Sequence, residues 1–139
     1  MTFPPVLPDV DELVTSALRE ALPDVTVRVL WPADWTERLP LVVARRVAGS
    51  AVDINGLDAA VIDVQCAAVS RRDASRLARI TRAALLAACR SQFQGADGYL
   101  SHGEDVTGPV ELRTGAPETG PDLFRFQATY RVTARPLNT

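Results

Sequence analysis

The sequence has no lysine: all fifteen of its basic residues are arginine. Together with abundant Ala, Val, Asp and Pro, this points to GC-rich coding. Seventeen acidic residues leave a formal net charge of −2. A dedicated nucleic-acid binder needs a basic surplus to neutralise phosphates, so that class is disfavoured. Only two cysteines are present, Cys66 and Cys89. That is too few for a disulfide framework, and both are expected as buried free thiols. No apolar run approaches the ~20 residues that span a bilayer, so no membrane is expected as a partner. Met1 to Pro8 has neither a basic nor an apolar signal region, so no signal peptide is expected. No Gly-rich phosphate loop or nucleophile elbow occurs, and there is one histidine.

What is present is a chain of 139 residues, 47% of them apolar and 23% charged. That length and composition suit one globular domain over residues 1–139 with one core. Pro4, Pro5 and Pro8 form a stiff lead-in over residues 1–8. Asp9 and Glu12 have the spacing of a capping box, and Val10, Leu13, Val14, Ala17 and Ala21 follow at helical spacing. A first helix is expected from Val10 to Leu22, ended by Pro23, with Asp11, Thr15 and Arg19 off its apolar face. Val25, Val27 and Val29 alternate with polar residues as a half-buried strand. Trp31 to Leu39 reads as a loop, Leu41 to Val47 as a second strand, and Asn55-Gly56 as a hairpin tip. Ala60 to Val69 is the third strand, with Ile62, Val64 and Cys66 pointing one way.

Ser70 and Asp73 then cap the clearest amphipathic helix, Arg71 to Arg90. Ala74, Leu77, Ala78, Thr81, Ala84, Leu85 and Ala88 line one face and Arg72, Arg76, Arg79 and Arg90 the other, with Leu86 an exception among the arginines. Ser91 to Pro109 reads as a long loop, of a length usually functional or mobile. Val110 to Arg113 starts a short fourth strand, and a Gly/Pro-rich turn follows over Gly115 to Pro121. Leu123 to Arg135 alternates cleanly, with Phe124, Phe126 and Tyr130 on one side and Arg125, Arg131 and Arg135 on the other. The expected fold is α+β, in the order α-β-β-β-α-β-β. It is a small mixed, mostly antiparallel sheet of about five strands with both helices on one face, the first three strands antiparallel neighbours.

Candidate chemistry is thin. His102, Glu104 and Asp105 could hold a metal or form an acid–base pair, but theirs is not a recognised ligand spacing. They read as a solvated loop, and a small enzyme with its site there is the alternative reading. No catalytic, cofactor-binding or metal-binding residue is assigned, and no cofactor. Trp31 and Trp35 read as half-buried anchors of their loop that could also serve an interface. Arg45 and Arg46 make a basic spot. Ile54 and Leu57 stand among aspartates on a hairpin arm suited to docking on a neighbour or to folding back on its own domain. Leu86 is a further interface candidate. Arg125, Arg131 and Arg135, on one strand face, could line a bore through which DNA passes without being gripped.

The central segment, AAVIDVQCAAVSRRDASRLARITRAALLAA, resembles the strand-to-helix centre of the tail terminator proteins of long-tailed phages. The flanks agree in order: DVDELVTSALREAL, then LPLVVARRVAG, then the closing PDLFRFQATYRVTARP. The likeness covers residues 9 to 136 as a pattern of elements. It implies a structural, non-enzymatic virion protein that forms a ring with copies of itself, typically a hexamer. The ring would sit on the head-proximal end of the tail, assembled in the host cytoplasm. It would contact the tail tube protein and the head-completion protein and let DNA pass without sequence-specific binding. Another head–tail connector or tail-completion subunit of the same virion is the nearest alternative.

Overall fold

Asp9 opens the first helix, α1 (Val10–Ala21), in the computed structural model of the chain, which describes residues 3, 6–51, 57–112 and 124–137. Its carboxylate accepts the Glu12 backbone N–H at 3.2 Å, which satisfies one of the four free donors of the first turn. Glu12 turns to Ser16 Oγ, at 3.1 Å. Val10, Leu13, Val14 and Leu18 are buried as their spacing requires. Thr15, expected off the apolar face, is buried as well. Its hydroxyl donates to the Asp11 carbonyl at 2.8 Å, so the polar group is satisfied inside the helix.

Four further strands and a helix follow β1 (Thr26–Arg28): β2 (Leu41–Ala51), β3 (Asp58–Ala68), α2 (Arg71–Arg90), β4 (Gly98–Leu112) and β5 (Phe124–Pro136). They form one five-stranded sheet in the order β1-β2-β3-β5-β4. All neighbours are antiparallel except β1 and β2, which run parallel. The architecture is α+β in the expected order. The parallel pair corrects the expectation of three antiparallel neighbours. A parallel pair needs a crossover of about a dozen residues, and the segment from Val29 to Pro40 supplies it.

Helices α1 and α2 pack on the same face of the sheet and touch each other. Ile62, Val64, Phe126, Tyr130 and Val132 point into that layer. Burying each such side chain contributes roughly 1.5–3 kcal/mol. On the opposite face the crossover lays Trp31, Trp35 and Leu39 over Leu41, Val43 and Ala67, a small second apolar cluster. Arg45, Asp63, Gln65, Arg125, Gln127 and Arg131 make much of the rest of that face polar, with Val61 and Val110 also on it.

The largest correction concerns residues 91–109. The connection after α2 is short, and β4 begins at Gly98. The strand is an edge: among the described strands it pairs with β5 alone, and its register shifts at Leu100/His102, Asp105/Thr107 and Thr107/Val110. Most side chains from His102 onward are exposed, so burial impresses no alternation on the residue pattern. The segment expected as a short fourth strand is the end of this long one. Of the hairpin arm, Ala51 and Asp58 are paired at its base. Its Asn-Gly tip and the Gly115–Pro121 turn lie outside the described residues.

Candidate functional site

The polar face of the sheet is the broadest candidate surface. Arg45 on β2, Asp63 and Gln65 on β3, and Arg125 and Gln127 on β5 fall on it together with Trp31. Asp63 is Arg45's register partner, yet Asp63 accepts hydrogen bonds from Gln127 Nε2 and Gln65 Nε2. Arg45 has no ion-pair partner among the described residues. Arg125 lies with its guanidinium 5.5 Å from the centroid of the Trp31 ring and donates to Gln65 Oε1 at 3.4 Å. Its Nε is buried without a partner among the described residues. An open hollow of about 510 Å³ is bounded by Leu30, Trp31, Arg45, Asp63 and Arg125. It offers an aromatic wall and guanidinium donors.

Trp31 and Trp35 are half-buried, their ring centroids 6.4 Å apart at 51°. Both pack on the second cluster, so anchoring the crossover is a role their geometry fulfils directly. Arg45 and Arg46 do not form one basic spot. Successive strand residues face opposite ways, and Arg46 turns to the helix side. There it makes a bidentate ion pair with the buried Asp58, at 2.5 and 2.9 Å. Leu57 is half-buried, and Ile54 lies outside the described residues.

Leu86, the exception among the arginines, is half-buried because β4 covers a second side of α2. Gly103 on β4 lets the strand come that close. A Cβ there would sit 2.7 Å from Cys89 Sγ and 3.4 Å from Leu86 Cδ2. Two ion pairs fasten the same contact: Arg82 Nη2–Asp105 Oδ2 at 2.7 Å and Arg71 Nε–Glu111 Oε2 at 2.8 Å. The Arg82 guanidinium, through its hydrogen bonds first, holds the Asp105 carboxyl below the usual carboxylate range. These partners are 23 and 40 residues apart in sequence, and no local pattern marks them. Arg72, Arg76, Arg79 and Arg90 remain exposed, without an acidic partner among the described residues.

The His102, Glu104 and Asp105 group lies on strand β4, not on a loop. Asp105 turns to Arg82 on α2, whereas Glu104 pairs with Arg131 on the polar face at 3.3 Å. The two carboxylates therefore diverge, and His102 Nε2 stands 4.0 Å from Glu104 Oε2. Among the described residues no three His, Cys, Asp or Glu side chains gather as a ligand set. Cys66 and Cys89 are free and buried. Burial pushes their thiols up to about 12 and about 11. A thiol held protonated is a poor nucleophile.

On β5, Arg131 and Arg135 are exposed and Arg125 is half-buried. The outer side of β4 adds Val106 and Val110, 49% and 50% exposed, on an edge that the residue pattern did not reveal. No described helix is long and apolar enough to cross a membrane. No curated protein matches the chain. A family model described as phage tail termination protein matches residues 6–139, nearly the whole chain. The fold, its open sheet edges and this match lead to one assignment: the chain belongs to the phage tail termination protein family.

Proposed function

We propose that the chain is one subunit of a ring, a hexamer, that caps the head-proximal end of the tail tube, ends its polymerisation and joins tail to head. The observation that carries this reading is the family match over residues 6–139. The form of the subunit supports it. A sheet that does not close on itself leaves two edges, the short β1 and the long β4. Different surfaces on opposite sides of one subunit favour head-to-tail contacts, which close into a ring when the rotation permits. We assign subunit contacts to the β4 edge, the Trp31/Arg45 hollow and the arm that carries Leu57. Arg131 and Arg135 face the bore in this reading, so that DNA passes without sequence-specific contact. The tail tube protein and the head-completion protein are the outer partners.

The test is a deletion of the gene in the phage, with tails examined by negative-stain electron microscopy. Overlong tails, restored to uniform length by the gene in trans, are the expected result. Tails of normal length that fail to join heads would instead make the chain a connector or tail-completion subunit. Normal infectious virions would refute both readings.

A further inference from the structure

We propose that neighbouring copies exchange arms: Phe3 and Val6, ahead of α1, dock in an apolar groove at the opposite end of the next subunit. The inference rests on the self-association proposed above and names one of its contacts. Phe3 and Val6 are 82% and 87% exposed, unusual for side chains so apolar. The groove has a volume of about 290 Å³, walled by Leu39, Pro40, Val69, Leu77 and Ile80, with Asp73 and Arg76 among its lining. Val69 is 68% exposed and Ile80 38%. The hollow is at the small end of ligand pockets, with room for a bulky side chain rather than a folded element.

A subunit cannot fill its own groove with this arm. Pro8 packs against Gly98, at the end of the sheet where Gly98 pairs with Pro136. The groove lies at the other end, where Ala68 pairs with Phe124. Strand β5 runs from Phe124 to Pro136 between them, roughly 40 Å at ~3.3 Å per residue. From Pro8 back to Phe3 the chain reaches no more than roughly 18 Å at ~3.6 Å per residue. Two complementary apolar surfaces at opposite ends of one molecule make a head-to-tail contact, in which each copy donates one arm and receives one. Residues 1–8 carry no charged side chain, which suits an apolar groove. Prolines at positions 4, 5 and 8 of the sequence narrow the backbone's conformational range, so less freedom is lost on docking.

The test mixes full-length Phe3→Cys protein with full-length Val69→Cys protein under mild oxidation, with and without tail tubes. Ala87→Cys, exposed near the far end of α2, replaces Val69→Cys in the control. The buried Cys66 and Cys89 stay silent. The expected result is a Phe3–Val69 cross-link at least tenfold above the Phe3–Ala87 control, together with at least tenfold weaker self-association of a Phe3→Asp/Val6→Asp variant whose melting temperature is unchanged. Closed oligomers with no preferred cross-link would overturn arm exchange and leave the ring reading standing. Cross-linked copies in open chains would confirm the arm contact and overturn the ring. Absence of the cross-link in both conditions overturns arm exchange.

Discussion

Arg46 closes a two-pronged ion pair on Asp58, whose side chain is 1% exposed, while that of Arg46 is 30% exposed. The Arg46 backbone N–H is held as well, donating to Asp11 Oδ1 at 2.6 Å. One residue thus ties α1, β2 and β3 together. Removing either partner strands the other. Arg46→Ala is expected to cost about 2–3 kcal/mol, below the ~3–5 kcal/mol of a fully buried pair because water reaches the guanidinium. The Arg46→Ala/Asp58→Ala double variant should cost less than the sum of the singles by about 1 kcal/mol or more. Urea denaturation of the three variants measures this. A single-variant cost within experimental error would show the pair to be ornamental.

The approach of β4 to α2 at Gly103 gives a second prediction. Gly103→Ala puts a methyl group against Cys89 Sγ, and the strand must shift or the thiol must rotate. Overpacking of this kind costs about 1–3 kcal/mol. Cys89→Ala removes the obstructing sulfur, so the double variant should be more stable than the summed singles predict. Purely additive losses would show that the strand relaxes freely.

Both of those sites depend on elements that differ in how well the residue pattern announces them. Ser70, Asp73 and the apolar spacing from Ala74 to Leu85 specify α2 with its observed bounds, Arg71–Arg90, because cap and amphipathic face are local. The alternation from Phe124 to Ala134 marks β5 equally well, since one face packs on the helices throughout. Strand β4 leaves little trace. Most side chains of its outer half are exposed, and each register shift resets which residues face inward. The direction of β1 is set by where the crossover lands, a tertiary matter. Ion-pair partners for Arg71, Arg82 and Arg46 likewise follow from which elements become neighbours. The interface candidates Trp31 and Arg45 and the bore candidate Arg125 were legible as residues, but their gathering into one hollow required the sheet order.

Alkaline pH should destabilise the fold. Burial raises Tyr130 to about 12, Cys66 to about 12 and Cys89 to about 11. Each is neutral when protonated, and its folded pKa lies above its unfolded value of about 8.5–10. The unfolded state therefore loses protons first as pH rises. Stability from these groups is complete below about pH 8, then falls between roughly pH 9 and 12. Urea midpoints measured across that window should decline, and Tyr130→Phe should flatten the decline above pH 10. At pH 8 native thiols should resist alkylation and react at a rate that tracks unfolding. Rapid labelling of the native protein would contradict the burial of both cysteines.

The three arginines of the β5 polar face should separate by role. Arg125 stacks on Trp31 and bonds Gln65, so Arg125→Glu sets a carboxylate against the ring and near Asp63. A loss of about 1–3 kcal/mol is expected, from the stacking and the like-charge contact together. Arg131 and Arg135 are exposed, and Arg131 shares only a surface ion pair with Glu104. Arg131→Glu/Arg135→Glu should therefore leave stability within about 0.5–1 kcal/mol. If these two arginines face a bore, phage carrying the double variant should still join heads to tails but deliver DNA less efficiently. Reversed charge would then repel the phosphate backbone, and the defect should grow as salt is lowered. Comparing particle counts by electron microscopy with infectious titre checks this. An unchanged ratio of titre to particles would remove Arg131 and Arg135 from the DNA path and leave the polar face to protein partners.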